Sequence, residues 1–219
     1  MSSDKSLDKV KKLRELTGVG FKDCKNAIDE NDGDIEKSIE FLRKKGIAKS
    51  AKRMGRTAAE GLICIYENQN KFSMVEINSE TDFVAKNSEF IKFAEEVSQV
   101  ALDASGKIED LLKSEMKNKK KVEENLIDLI SKMGEKITIR KNTCLVNDKL
   151  LNFSYIHASI KKNIGKIGVL LSIESEIDKN DVMNLGKQLA MQIASLSPLA
   201  IDKEGLDQNI LKKEKEIIT

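Results

Sequence analysis

The residues best suited to chemistry lie in the stretch 79–87, SETDFVAKN, where an alternating, strand-like pattern gives way to a helical one. Two carboxylates, Glu80 and Asp82, stand on either side of Thr81, and the aromatic Phe83 follows at once. Paired carboxylates catalyse acid–base reactions where an apolar pocket shifts their pKa values, and the sequence indicates no such pocket here. Phe83 stands among polar residues instead, which predicts a tip that contacts a partner.

A second interpretation of the same residues is structural. An aromatic at a strand–helix junction is usually a packing residue, so Phe83 would fold back under the first turn of the helix while Asp82 caps that helix. Spacing alone leaves the two interpretations equally open.

Residues for metal or nucleophilic chemistry are few. Cys24, Cys64 and Cys144 are odd in number and far apart, with no C-x-x-C pair, so neither a disulfide framework nor a zinc site is indicated. His157, the one histidine, ends an alternating segment, where a structural or surface role is commoner than catalysis. Nucleotide-binding, zinc-protease and nucleophile-elbow motifs are absent from the sequence. We therefore expect no enzyme activity, no metal and no cofactor.

The charge balance argues against nucleic acid as a direct partner. The 219 residues include 38 Lys plus Arg against 36 Asp plus Glu, and only five of the basic residues are arginine, which binds phosphate best. No segment approaches the ~20 apolar residues of a membrane span, and the N-terminus lacks the apolar stretch of a signal peptide. With the scattered cysteines, this predicts a cytoplasmic protein without membrane contact.

Helical spacing dominates the N-terminal part of the chain. Apolar residues recur at helical intervals in three runs, separated by TGVG at 17–20 and by NDG at 31–33. Asp34 is a suitable N-cap for the third helix and Gly46 a suitable end. The basic segment 47–60 that follows predicts an exposed tether rather than a nucleic-acid patch.

Strand and helix patterns alternate after residue 60. The predicted elements, in order, are a hairpin (62–66 and 71–77), a helix (90–101), a helical region (108–133) broken near 117–121, a second sheet region that begins at 136–140 and continues through 153–157 to 167–173, and a helix that ends at Pro198. The predicted fold class is therefore α+β.

A hairpin followed by a helix thus occurs twice, which predicts an internal repeat. An offset of 96 residues aligns Asp82 with Asp178 and Phe83 with Lys179. A scaffold that needed only a polar cap would carry a polar residue in both copies. The aromatic in the first copy therefore favours the contact interpretation of Phe83.

Several motifs together resemble the elongation factor Ts family. They are LRELTGVGFKDCKNAI and NDGDIEKSIEFLRKKG near the N-terminus, TDFVAKN at 81–87, GEKITIRK, and KIGVLLSIE before the last full helix. The resemblance implies four parts: a ubiquitin-associated-like three-helix domain with a basic linker (1–55), core subdomain N (56–140), core subdomain C (141–200), and the start of a helical hairpin region (201–219). The two core subdomains would be the repeated hairpin-plus-helix units.

The resemblance also implies a function and a set of contact residues. Members are guanine nucleotide exchange factors that bind elongation factor Tu and promote GDP release during translation elongation. By resemblance, the phenylalanine of TDFVAKN wedges between helices of the GTPase and the acidic residue disturbs its Mg²⁺ environment. The implied partner-binding residues are Thr81, Asp82, Phe83, Val84, Leu13, Val19, Phe21 and His157, the last from its place in Y-x-H before KIGV.

Two expectations stay open at this stage. Family members usually continue through a helical hairpin and a closing segment, so we expect subdomain C to be incomplete and leave dimerisation through the hairpin undecided. The alternative function is a passive helical adaptor, which binds a partner without altering the partner's nucleotide affinity.

Overall fold

Three helices open the chain and enclose a small core of their own. The computed structural model describes residues 2–104, 106–146 and 149–218, except for the side chains of 2–5, 179, 214 and 218. The first helices are α1 (Ser2–Thr17), α2 (Phe21–Glu30) and α3 (Ile35–Arg53). Their shared core consists of Val10, Leu13, Cys24, Ala27, Ile28 and Leu42. The predicted N-cap is confirmed, because the Asp34 carboxylate accepts a hydrogen bond from the Lys37 amide at 3.0 Å.

Helix α3 does not end at Gly46, and this corrects the sequence interpretation. A Cβ at Gly46 would lie 2.5 Å from Oγ of Ser131 in helix α7 (Val122–Met133), so the glycine permits a close approach of two helices. Arg53, at the end of α3, donates a hydrogen bond to the Ile130 carbonyl at 3.0 Å. The predicted exposed tether is therefore wrong as far as Arg53, because this part of the basic segment belongs to a packed helix.

Four antiparallel strands form the main sheet. Their order is β3 (Ile137–Leu145), β2 (Lys71–Ser79), β1 (Glu60–Asn68) and β5 (Ile164–Gly165). The predicted hairpin is confirmed as β1 and β2, which turn at Gln69 and Asn70. Strand β3 was expected to begin a second sheet, but it pairs with β2, because Ile137 and Ile139 join the same core as Ile77. The boundary predicted between residues 140 and 141 falls inside this strand.

One face of the main sheet is covered by helices. These are α4 (Asp82–Ala85), α5 (Ser88–Ala101), α6 (Ile108–Lys113) and α7. The predicted helix at 90–101 is confirmed as part of α5, whose apolar stripe includes Phe90, Ala94 and Val97, all fully buried against the sheet. The predicted break between α6 and α7 and the helix end at Gly134 are confirmed too, and Gly134 takes a left-handed conformation with φ +77°.

The other face of the main sheet meets a second, two-stranded sheet. Strands β4 (Leu151–His157) and β6 (Ile167–Ile173) pair antiparallel, and Gly168 of β6 lies against Ile63 and Met74 of the main sheet. Helix α8 (Lys179–Leu196) packs on this second sheet, where a Cβ at Gly186 would meet the ring of Phe153 at 2.6 Å. Helix α9 (Gln208–Ile218) follows.

The resulting architecture is mixed helix and sheet, as the α+β prediction expects. No helix in the described part of the chain is both long enough and apolar enough to cross a membrane. The internal repeat of hairpin-plus-helix units stays a prediction.

We predict that Gly61→Ala destabilises the fold strongly. Gly61 has φ +143°, and a Cβ there would collide with the Ile77 carbonyl oxygen in the neighbouring strand. The combined backbone strain and overpacking should lower the free energy of unfolding by about 3 kcal/mol. Urea unfolding followed by circular dichroism measures this. Gly55→Ala is the matched control, since a Cβ at Gly55 meets nothing within 4 Å. Equal stability of the two variants would contradict this account of Gly61.

We also predict that the cysteines are unreactive in the folded protein. Burial raises the pKa of the Cys64 thiol to about 11, and burial likewise raises the pKa values of Cys24 and Cys144. A raised pKa means fewer thiolates at a given pH, so only roughly one Cys64 thiol in a thousand is ionised and nucleophilic at pH 8. Titration with a chromogenic disulfide reagent should be slow in buffer and should reach three thiols in urea. Rapid native modification of Cys64 would count against its placement in the core.

Candidate partner-binding site

The motif at 81–87 forms a single helical turn between β2 and α5. Thr81 begins it as N-cap, with its Oγ1 accepting a hydrogen bond from the Val84 amide at 3.4 Å. The Lys86 amide then donates to the Asp82 carbonyl at 3.0 Å, which closes the turn. Asn87 caps the next helix, α5, by accepting a hydrogen bond from the Glu89 amide at 2.8 Å. The chain therefore leaves the sheet through two capped helix starts in close succession.

Phe83 is presented to solvent at this turn. Its side chain is 80% exposed, whereas Val84 and Ala85 are buried in the main core. The interpretation of Phe83 as a core residue is therefore excluded. The same geometry corrects the expectation for Val84, since a side chain that anchors the turn to the core is not available as a contact surface. We call Asp82 and Phe83 the tip.

Asp82 contributes a full negative charge to the tip. Lys86 donates to its carboxylate at 2.7 Å, and this hydrogen bond is the main reason why the pKa of Asp82 lies below its ordinary value. The charge of Lys166 lowers that pKa further. Because a lowered carboxyl pKa keeps the group ionised to lower pH, Asp82 is a carboxylate at neutral pH.

Two further carboxylates fix the backbone that leads to the tip. Glu135, in the turn after α7, accepts hydrogen bonds from the amide and the hydroxyl of Thr81, at 3.0 and 2.7 Å. Glu80 accepts one from the Lys136 amide at 2.5 Å, which is the main cause of its lowered pKa, and another from Arg56 at 3.2 Å. Sequence reasoning missed Glu135, because nothing in the pattern of GEKITIRK indicates a partner more than fifty residues earlier.

The N-terminal residues of the predicted site divide between core and surface. Leu13 is fully buried among the three helices, which corrects its assignment as a contact residue. Val19 is half-buried, and Phe21, the first residue of α2, is 43% exposed. Of the three predicted contact residues in this block, Phe21 therefore presents the most accessible apolar surface.

The TGVG turn lies close to the start of α5. A Cβ at Gly18 would come within 2.6 Å of Cε of Lys132 in α7, and the ammonium of Lys132 donates to the Glu89 carboxylate at 3.0 Å. Glu89 is in the first turn of α5, directly after the motif that carries the tip. The structure thus brings the N-terminal turn and the tip segment to one region of the molecule.

His157 lies at the same end of the molecule as the tip. Its side chain is exposed at the end of β4, and Nδ1 lies 3.1 Å from the hydroxyl of Tyr155. The His157 carbonyl accepts a hydrogen bond from the Lys166 amide at 3.1 Å, and the Lys166 ammonium reaches the Glu60 carboxylate at 2.9 Å. Glu60 is paired with Ser79 at the end of β2, which leads directly into the motif.

An open cleft of about 880 Å³ separates the N-terminal helices from α5 and the α6–α7 connection. Its apolar lining consists of Leu16, Val19, Ile39, Leu42, Phe93, Met116 and Leu129. Charged residues of both signs and the uncharged polar residues Thr17, Asn118, Asn125 and Ser131 form the rest of its wall. Among the residues that the structure describes, no three histidine, cysteine or acidic side chains are grouped so as to hold a metal ion.

Comparison with known proteins identifies the family of this chain. Residues 80–219 match the family model described as Elongation factor TS. The elongation factor Ts of Methylorubrum populi is 44% identical over 210 residues, which are 95% of this chain and 69% of that protein. The elongation factor Ts of Nitrobacter hamburgensis is 45% identical over 209 residues, 95% of this chain and 68% of that protein. The chain therefore belongs to the elongation factor Ts family, a family of translation elongation factors.

Proposed function

We propose that this protein is a guanine nucleotide exchange factor that binds elongation factor Tu, disturbs its Mg²⁺ and nucleotide site, and promotes GDP release. The observation that carries this proposal is the exposure of Phe83 at a capped, core-anchored turn, beside an ionised Asp82. The ring of Phe83 is 80% exposed, so covering it with a partner would lower the free energy of the complex. Family membership supports elongation factor Tu as that partner.

The apolar contribution of Phe83 is large enough to drive exchange. Burying a phenylalanine side chain that is otherwise exposed contributes about 1.5–3 kcal/mol. Each 1.4 kcal/mol is about a factor of ten in an equilibrium constant. If the ring fits only the nucleotide-free or loosened GTPase, this one side chain shifts the affinity for GDP by roughly ten- to a hundredfold.

Asp82 adds an electrostatic contribution. Asp82 forms an ion pair with Lys86, an exposed neighbour one helical turn away, and such surface pairs contribute little to stability. Replacing this ion pair by a contact with the partner therefore costs little free energy. A carboxylate brought close to bound GDP opposes the phosphate charge and competes for the Mg²⁺ that neutralises it.

This mechanism is differential binding rather than covalent chemistry. By linkage, the factor by which the protein weakens GDP binding is the factor by which GDP weakens binding of the protein. It involves no nucleophile, no cofactor and no resident metal of the factor's own, so we do not class the protein as an enzyme. The cytoplasm, where translation takes place, is the compartment in which this function applies.

The remaining predicted residues serve docking in this proposal. In this proposal the N-terminal helices take the part of the family's ubiquitin-associated-like domain, and the sheets and helices that follow take the part of its core. Val19 in the turn between α1 and α2, Phe21 at the start of α2, and His157 at the end of β4 supply contacts around the tip. These contacts increase affinity for the GTPase whether or not nucleotide is bound.

We expect Phe83→Ala to slow GDP release at least about tenfold, because it removes the apolar contact made only in the loosened GTPase. Release of a fluorescent GDP analogue from elongation factor Tu, at saturating factor, measures the rate. The fold should be unaffected, since the ring is mostly in solvent.

Two controls accompany this variant. Leu199→Ala removes an apolar side chain of similar exposure, 75%, after α8, and Lys179→Ala changes the position that the predicted repeat aligns with Phe83. Both should release GDP at the wild-type rate. If Phe83→Ala binds the GTPase and also releases GDP like the wild type, the passive adaptor becomes the better description.

We expect Phe21→Ala to weaken docking without altering the exchange step. Loss of an exposed aromatic anchor should raise the factor concentration for half-maximal release about tenfold, while the maximal rate stays within about twofold of the wild type. Leu7→Ala is the matched control, because Leu7 on α1 is exposed to the same 43%. An unchanged half-maximal concentration would remove Phe21 from the docking surface.

A further inference from the structure

Where β2 and β3 separate, hydrogen bonds from side-chain carboxylates take the place of the backbone hydrogen bonds between the two strands. The last paired residues are Ser79 and Ile137. The next residues in register would be Glu80 opposite Lys136 and Thr81 opposite Glu135. At both positions a side-chain carboxylate crosses to the amide of the opposite strand, from Glu80 to Lys136 at 2.5 Å and from Glu135 to Thr81 at 3.0 Å. The two chain segments are thus held together for two residue pairs beyond the end of the sheet.

The bond from Glu135 has a second part that orients the tip. The Thr81 hydroxyl donates to the other Glu135 oxygen at 2.7 Å, so the hydroxyl hydrogen is fixed and a lone pair remains for the Val84 amide. Both oxygens of Glu135 are therefore used on one residue, and that residue is the N-cap of α4. Hydrogen bonds to a charged group are shorter and stronger than neutral ones, which makes this the firmest contact at the start of the turn.

Helix α4 needs such support because it has only four residues, Asp82–Ala85. An isolated helical turn is unstable, since one hydrogen bond does not offset the ordering of several residues. The core holds Val84 and Ala85, whereas Phe83 is 80% exposed and is not part of the core. The direction of the Phe83 side chain therefore depends on the backbone of Thr81 and Asp82.

We propose that Glu135 is a positioning residue for the tip, acting through Thr81 on the backbone that directs Phe83. The kinetic part of this inference rests on the exchange function proposed above. Gly134, with φ +77°, turns the chain at the end of α7 so that Glu135 reaches Thr81. Without the Glu135 carboxylate the tip keeps its residues and charge but loses its fixed direction.

The first test is kinetic. Glu135→Ala should lower the maximal rate of GDP release from elongation factor Tu about fivefold to tenfold, with a half-maximal concentration within about twofold of the wild type, because the docking contacts remain. Glu135→Gln should recover part of the rate, since its carbonyl oxygen still accepts one hydrogen bond from Thr81. Glu76→Gln is the control: Glu76 pairs with Arg140 at 2.7 Å between the same two strands, away from the tip, and should release GDP normally.

A double-mutant cycle separates positioning from general loss of stability. If Glu135 acts through the tip, adding Glu135→Ala to Phe83→Ala should change the release rate less than about twofold. Full additivity of the two effects would overturn the inference, because Glu135 would then act elsewhere.

The second test does not need the GTPase. In the free protein, amide hydrogen exchange at Ala85 and Lys86, whose amides donate to Thr81 and Asp82 within the turn, should accelerate about tenfold or more in Glu135→Ala. Thr81→Val also removes the N-cap acceptor of the Val84 amide, so it should accelerate exchange at least as much. Glu135→Gln, which weakens the contact with Thr81, replaces Glu135→Ala if that variant does not fold. Wild-type exchange at both amides overturns the inference even if Phe83→Ala slows release. Accelerated exchange with wild-type release by Phe83→Ala supports the positioning role and rejects the exchange function instead.

Discussion

Strand β2 is hydrogen-bonded along its length to β1 on one side and to β3 on the other, and the rest of the structure depends on this double pairing. A central strand paired on both edges has almost no freedom of direction at its end. The chain leaves it at Ser79, fully buried, and enters the α4 turn two residues later. The tip is therefore built on the most constrained part of the molecule, which is what a residue that must enter a partner in one orientation requires.

Local patterns predicted the elements well, and the failures have a common physical cause. The stripe on α5 and the β1–β2 hairpin follow from periodicity within one segment. The pairing of β3 with β2 spans four intervening helices, and no local pattern encodes it. Gly46 illustrates a second limit, because a glycine that ends a helix and a glycine that admits a neighbouring helix are the same letter in the sequence.

The candidate site shows the same division. The motif at 81–87 predicts the contact segment, and within it exposure separates Phe83 from the buried Val84. An apolar residue in a contact motif either contacts a partner or packs in the core, and only its burial in the folded structure distinguishes the two. The role of Glu135 could not be predicted from the sequence, because it depends on a turn that the fold brings beside Thr81.

The N-terminal helices are connected to this same region by more than covalent linkage. The Lys136 ammonium donates to the carbonyls of Met54 and Arg56, and Arg56 in turn reaches the Glu80 carboxylate. The segment that follows α3 is thereby attached to the turn that holds Thr81. The same hydrogen bonds therefore join the first three helices to the backbone of the tip. Docking through those helices is thereby coupled to the geometry of the tip.

The way the tip is held has an evolutionary consequence. Thr81, Val84 and Glu135 fix the backbone, so the side chain at position 83 contributes almost nothing to folding. As far as folding is concerned, residue 83 can then be replaced by a smaller, larger or polar residue while the scaffold stays intact. Substitutions at position 83 can therefore change how strongly the protein acts on its partner without changing the stability of its own fold.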